Sequence, residues 1–96
     1  MMKVLFVEKT KIGGVHIYVS HVKKELEKRG IEVNIITRNE DLKLNSFIKS
    51  YQKLKELYKK WSKEYDIIHA NDWSIAYPAV KSNINNLVVT LHGLPS

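Results

Sequence analysis

The sequence predicts a three-layer α/β domain on a parallel sheet of about four strands, in the order 2-1-3-4. Three observations carry this. Short apolar runs alternate with amphipathic segments along all 96 residues, the pattern of strands joined by helical crossovers. The runs are continuous rather than alternating, which suits strands covered on both faces. The chemically distinctive residues fall at the ends of these runs: Gly13 and Gly14 after the first, Asn71 to Trp73 after the third, His92 and Gly93 closing the fourth. In doubly wound sheets ligands sit outside the carboxyl ends of the strands, where the order reverses. Of the two common orders, 3-2-1-4 and 2-1-3-4, only the second sets those three ends side by side.

The elements follow in order. "KVLFVE", residues 3 to 8, is a compact buried strand. After the loop "KTKIGG", Val15, Tyr18, Val19, Val22 and Leu26 form one helical stripe, with Lys24, Glu27 and Lys28 facing away and Lys23 at the flank. Basic residues in the last turn and Gly30 just past it stop that helix. "IEVNIIT", residues 31 to 37, is the second strand, and "RNEDLKLN" a polar loop. Asn45 or Ser46 caps the next helix, whose apolar stripe is Phe47, Tyr51, Leu54, Tyr58 and Trp61. "YDIIHA" is the third strand. "NDWSIAYPAV" reads as a short helix opened by an Asn/Asp cap, with Pro78 near an end or kink. "NLVVTLHG", residues 86 to 93, is the fourth strand.

Composition narrows the class. At this length there is one small domain at most. An apolar content of 44% with 27% charged residues is that of a globular chain. No cysteine is present, which excludes disulfides and thiolate metal sites and fits a reducing compartment. The first apolar run is too short for a signal sequence or a membrane span, so it reads as the first strand of a cytoplasmic protein.

The glycine pair is the first candidate site. Backbone N–H groups at such a loop can approach a phosphate, and the helix N-terminus behind them favours negative charge. A plain strand-to-helix turn also accounts for it. A dinucleotide fingerprint would need G-x-G-x-x-G and an acid after the second strand. Here Gly13-Gly14 stand alone, Arg38 occupies the acidic position, and no P-loop spacing occurs.

Three stretches resemble the N-terminal domain of GT-B-type retaining glycosyltransferases, the group that includes glycogen and starch synthases. "KIGG", Lys11 to Gly14, resembles their K-x-G-G loop. "DIIHANDW", Asp66 to Trp73, resembles a strand-ending H-x-x-D-W pattern, and "VVTLHG", Val88 to Gly93, a T-x-H segment. Order and spacing agree across almost the whole chain. The resemblance implies a Rossmann-like domain, a nucleotide-sugar as donor substrate, a sugar or lipid-linked acceptor, and no other cofactor. It implies residues 1 to 96 as a partial N-terminal domain of a two-domain enzyme. The C-terminal partner domain, with its paired glutamates and diphosphate-binding basic residues, has no counterpart in this sequence. The isolated chain is therefore expected to be inactive. The rival reading is a non-catalytic Rossmann-like interaction domain with a basic surface.

Site residues carried over by the resemblance each have a structural alternative. His92 would lie beside the donor sugar and stabilise the oxocarbenium-like state; otherwise it is a half-buried histidine bonded to backbone. Lys11, with Gly13 and Gly14, would face the donor diphosphate, or Lys11 is a solvated loop lysine. Asp72 would bind an acceptor hydroxyl or cap its helix. Trp73 would stack on a sugar or pack under the loop. His16, on the first turn after the glycines, can face the cleft. His69 reads as structural and His21 as a surface residue. The four histidines lack metal-ligand spacing.

The net charge of +6 is uneven. Residues 43 to 63 hold seven lysines against one acid, Glu56, while the remainder balances. This segment is a solvated helix face, or it meets an anionic membrane surface. Nucleic acid is the less favoured partner, because no recognition motif accompanies the charge. The fourth strand reads as buried on both faces and lacks lysine or proline, so a homodimer through that strand is expected.

Overall fold

The computed structural model describes residues 1–44 and 46–92. Its elements run β1 (Lys3–Glu8), α1 (Gly14–Lys28), β2 (Glu32–Thr37), α2 (Phe47–Glu64), β3 (Ile67–Asn71), α3 (Trp73–Lys81) and β4 (Leu87–Thr90). The sheet order is β2-β1-β3-β4 with every pair parallel. This is the Rossmann-like arrangement expected from the sequence. Val4 pairs with both Val33 and Ile67, so β1 is an interior strand, as is β3 between β1 and β4.

Side chains of β1 alternate between two cores. Leu5 and Val7, with Ile68 and Ala70 of β3, meet Leu54, Tyr58 and Trp61 of α2 and Ile75, Ala76 and Ala79 of α3. Val4 and Phe6, with Val33, meet Val19 of α1. Tyr58 is sealed, and its hydroxyl donates to the Ile75 carbonyl at 2.9 Å, tying α2 to α3. Burial pushes the Tyr58 phenol far above its ordinary value, so it stays protonated and keeps that donor.

The chain ends α1 as expected. Gly30 takes φ +81°. Its N–H donates to the Glu27 carbonyl at 3.1 Å, and that of Ile31 to the Leu26 carbonyl at 3.2 Å. These are the two bonds of a Schellman stop.

Three local expectations are corrected. Ser46 holds the N-cap position of α2, but its side chain makes no capping bond; Asn45 lies outside the described residues. The helix stripe is buried only from Leu54 onward. Phe47 is 47% exposed and Tyr51 half-buried, because this first turn meets Tyr77 of α3, with Tyr51 and Tyr77 rings 5.6 Å apart. In β4, Val88 and Val89 are exposed rather than buried. Val88 pairs with His69, outside the α1 core, which draws on β1, β2 and Ile67. The strand stops at Thr90, and Gly93 lies outside the described residues.

Two substitutions test this packing by urea unfolding. Leu54→Ala should lower stability by about 2–5 kcal/mol, the range for emptying a sealed leucine site. Tyr58→Phe should lower it by roughly 1 kcal/mol, the net value of one hydrogen bond.

Candidate functional site

The carboxyl ends of β1, β3 and β4 carry the candidate residues, and the glycine loop is the first part of the site. Gly13 has φ +105°, a backbone conformation that a side chain makes costly. Gly14 opens α1 without a positive φ, and a Cβ placed there would meet nothing within 4 Å. The turn therefore requires glycine at 13 but not at 14.

A network of polar groups fixes the loop from below. The Thr10 hydroxyl donates to Glu40 Oε2 at 2.6 Å and the Lys11 N–H to Glu40 Oε1 at 3.0 Å. Lys11 Nζ pairs with Asp41 Oδ1 at 3.2 Å. Asp41 Oδ2 in turn accepts from the N–H and hydroxyl of Thr37, at 2.8 and 3.0 Å. The Thr10 hydroxyl holds Glu40, and the Thr37 N–H holds Asp41, below the usual carboxylate range. Lys11 is thus engaged by the β2 loop.

A recess of about 120 Å³ lies beside the loop, lined by Lys9, Thr10, Ile12, Gly14, Val15 and Asp72. Gly14 and Asp72 are therefore brought together. Asp72 adopts φ 76° and its side chain makes no cap bond to α3, while its N–H donates to the Thr90 carbonyl at 2.9 Å. A non-glycine residue in that conformation is uncommon. Trp73 is 61% exposed, its ring 5.4 Å from that of Tyr77, rather than packed under the loop.

The second part of the site centres on Asn71, the buried last residue of β3. Its Nδ2 lies 3.3 Å from both the Val7 and His69 carbonyl oxygens. Two acceptors on that side require the amide nitrogen there, so Oδ1 faces His92, 2.9 Å from Nε2. Nε2 must then donate. Neutral His92 carries its proton on Nε2 and leaves Nδ1 with a lone pair. Tyr18 of α1 meets the His92 ring edge-on at 5.3 Å.

His69 shares this wall. Its Nε2 is 2.5 Å from the Thr90 hydroxyl and its ring 4.9 Å from Phe6, as its structural reading implies. Burial first, and the charge of His92 second, hold His69 below its ordinary value. His16 sits elsewhere, on the first turn of α1, where Nδ1 bonds Glu8 Oε1 and Nε2 lies 3.5 Å from the Ser20 hydroxyl. Glu8 is fully buried, and its Oε2 has no hydrogen-bond partner among the described residues. Burial pushes the Glu8 carboxyl up, against the opposing pull of His16.

Two groups thus emerge, Gly14 with Asp72 and His92 with Asn71 and Tyr18, joined through the Asp72–Thr90 backbone bond. The family described as Glycosyltransferase Family 4 matches residues 12–96. The chain belongs to glycosyltransferase family 4. The matched span takes in Gly13, Gly14, His16, Asp72, Trp73 and His92, and leaves β1 and Lys11 outside. No curated protein and no solved structure matches the chain.

In this family 4 chain, sequence reasoning passed over Asn71 as the partner of His92 and Glu8 as that of His16. Strand parity carries a signal for both. Phe6 and Glu8 share a face of β1, so an acid follows an aromatic into the α1 layer. His69 and Asn71 likewise share a face of β3.

Two measurements check this wall. Imidazole ¹⁵N shifts of the 96-residue chain should report His92 as the Nε2–H tautomer, and Asn71→Leu should convert it to a mixture. The pH dependence of unfolding should separate His69 from the acids. Its depressed folded value makes its contribution present above the unfolded value of about 6.5 and lost as pH falls below it. Glu8, being raised, acts in the opposite sense, so the comparison needs a variant. The stability advantage of the parent chain over His69→Gln should shrink between pH 7.5 and pH 5.

Proposed function

We propose that residues 1–96 form the acceptor-side front of the N-terminal domain of a two-domain, GT-B-type glycosyltransferase that uses a nucleotide-sugar donor. The observation that carries this reading is Gly14. The fold does not need a glycine there, yet the position keeps open space at a helix N-terminus, beside Asp72. An approaching diphosphate would use that space, meeting the first N–H groups of α1.

The other residues take roles consistent with their geometry. His92, with a lone pair on Nδ1, receives a hydroxyl of the donor sugar and supplies electron density as positive charge develops at the anomeric carbon. Asn71 and Tyr18 hold its ring. Asp72 accepts a hydroxyl of the incoming acceptor, a sugar or a lipid-linked sugar, and Trp73 offers a ring face to it. Lys11, through its pair with Asp41, sets the loop height and adds positive charge near the leaving diphosphate. His16 is oriented by Glu8 at the loop's rear. The second domain, following residue 96 in the complete enzyme, closes over the donor and excludes water. The absence of cysteine is consistent with a cytoplasmic setting.

The outer edge of β4 supports one assembly. No strand among the described residues pairs with it, and Val88, Val89 and Leu91 are exposed there. We infer a two-fold dimer of the isolated chain through β4. Light scattering should give a concentration-dependent mass above 11.2 kDa; a constant monomer mass would remove the dimer.

The activity test uses the full-length enzyme. His92→Ala should lower the catalytic rate by ~100-fold or more, whereas Gly14→Val should chiefly weaken donor binding while leaving the fold intact. Near-normal turnover by His92→Ala would take His92 out of the site. The 96-residue chain alone should show no sugar transfer, and turnover lost on His92→Ala would overturn the need for a second domain.

A further inference from the structure

Glu8, His16 and Ser20 are bonded in a row where β1 meets α1, and the proposed sugar transfer gives Ser20 no role. Glu8 closes β1 and is fully buried. Its Oε2 has no hydrogen-bond partner among the described residues. A buried acid half satisfied in this way costs stability. What the position gains is the side-chain bond from Glu8 Oε1 to His16 Nδ1. An ionised Glu8 can only accept, so Nδ1 carries the ring proton and donates it. Nε2 is then left with its lone pair, and it faces the Ser20 hydroxyl at 3.5 Å. His16 and Ser20 stand one turn apart on the same face of α1.

A hydroxyl, a base and a buried acid that fixes the base's tautomer form the arrangement that activates a serine, and geometry rather than chain order identifies it. The Nε2–Oγ distance exceeds that of a tight bond, as such pairs often do before a substrate binds. We propose that Ser20 is a nucleophile toward acyl esters with a good leaving group, with His16 as its general base and Glu8 as a positioning residue. Ser20 Oγ attacks the ester carbonyl carbon, and its proton passes to His16 Nε2. The bond between the acyl carbon and the leaving oxygen breaks, and His16 gives the proton to that oxygen. The products are acyl-Ser20 and one alcohol. Water then attacks the acyl carbon while Nε2 takes its proton. The acyl–Oγ bond breaks, a carboxylic acid leaves, and Oγ recovers the proton.

The surroundings suit a small acyl group. The His16 side chain is 27% exposed and Ser20 half-buried, so an ester can reach both from solvent. Ile17, 58% exposed, stands three residues before Ser20 on the helix surface and offers an apolar wall to the acyl chain. Lys24, one turn after Ser20, is exposed and makes no ion pair among the described residues. Its ammonium group supplies positive charge for the oxygen of the tetrahedral intermediate. Ser20 belongs to neither the Gly14–Asp72 group nor the His92 group, so the proposal stands apart from the glycosyltransferase reading.

The test uses the 96-residue chain at pH 8 with two probes, p-nitrophenyl acetate for turnover and a fluorophosphonate for covalent capture. The chain should release nitrophenolate faster than the same concentration of free imidazole, and peptide mapping should place the fluorophosphonate on Ser20. Ser20→Ala and, separately, His16→Gln should each lower kcat/KM at least about tenfold and abolish the labelling, with the circular dichroism unchanged. Glu8 is read through the ring it orients. Imidazole ¹⁵N shifts should report His16 as the Nδ1–H tautomer in the parent chain, and Glu8→Gln should remove that tautomer together with the labelling. Should Glu8→Gln fail to fold, the parent tautomer decides, and an Nε2–H ring would take Glu8 out of its role. Three other outcomes would overturn the proposal. One is hydrolysis no faster than free imidazole. Another is unchanged turnover in Ser20→Ala, the mark of a surface histidine or lysine acting alone. The third is labelling that spares Ser20, which would leave Glu8 and His16 as a brace across the glycine loop.

Discussion

Burial of β1 on both faces and pairing along both edges is the constraint on which the rest of the fold depends. Val4 to Glu8 are all buried, and their backbone groups are shared between β2 and β3. A strand in that position has no wet side, so its body from Val4 to Val7 is apolar and only its last residue, Glu8, carries a buried charge-bearing group, and the layers above and below are both helical. Its end is fixed as firmly as its length. The Glu8 carbonyl accepts the Arg38 N–H at 2.9 Å, so the chain leaving β1 and the chain leaving β2 depart side by side. The glycine loop begins from this anchored point, which gives its backbone a defined direction toward the crevice.

That same strand explains why much of the fold was legible. A run such as "KVLFVE" leaves few options for a small domain, and the change to helical spacing at Val15 marks the crossover. Strand order came from chemistry rather than from hydrophobicity, because the glycines, Asp72 and His92 make sense together only when β3 lies beside β1. What could not be read was how far each helix is covered. Periodicity says that Phe47, Tyr51, Leu54, Tyr58 and Trp61 share a face, but not what stands opposite each turn. Only the last three meet the sheet core. The burial of β4 failed for a related reason: an apolar strand is a statement about what it can pair with, and at the sheet edge the described chain offers no second neighbour.

The candidate site was legible at the level of positions and opaque at the level of partners. His92 is a candidate because of its place just past a strand end. That its proton sits on Nε2 follows only from Asn71, and Asn71 is fixed only by the two carbonyl oxygens of β1 and β3. Lys11 was read as facing a ligand, but the acids that engage it come from the loop after β2, twenty-nine residues from Lys11 for Glu40. Glu8 presents the opposite case, a charged side chain buried because of its strand position. Its second oxygen, without a partner among the described residues, is a destabilising element in the core, while His16 bonds the first.

The cross-bonding of the two loops has a consequence for how such a chain can change over generations. Thr10 and Lys11, in the loop after β1, hold Glu40 and Asp41, in the loop after β2, so a displacement of either loop is felt by the other. An insertion after β1 would strand two carboxylates, and one after β2 would release the lysine. A substitution that moves one of these segments therefore acts on both.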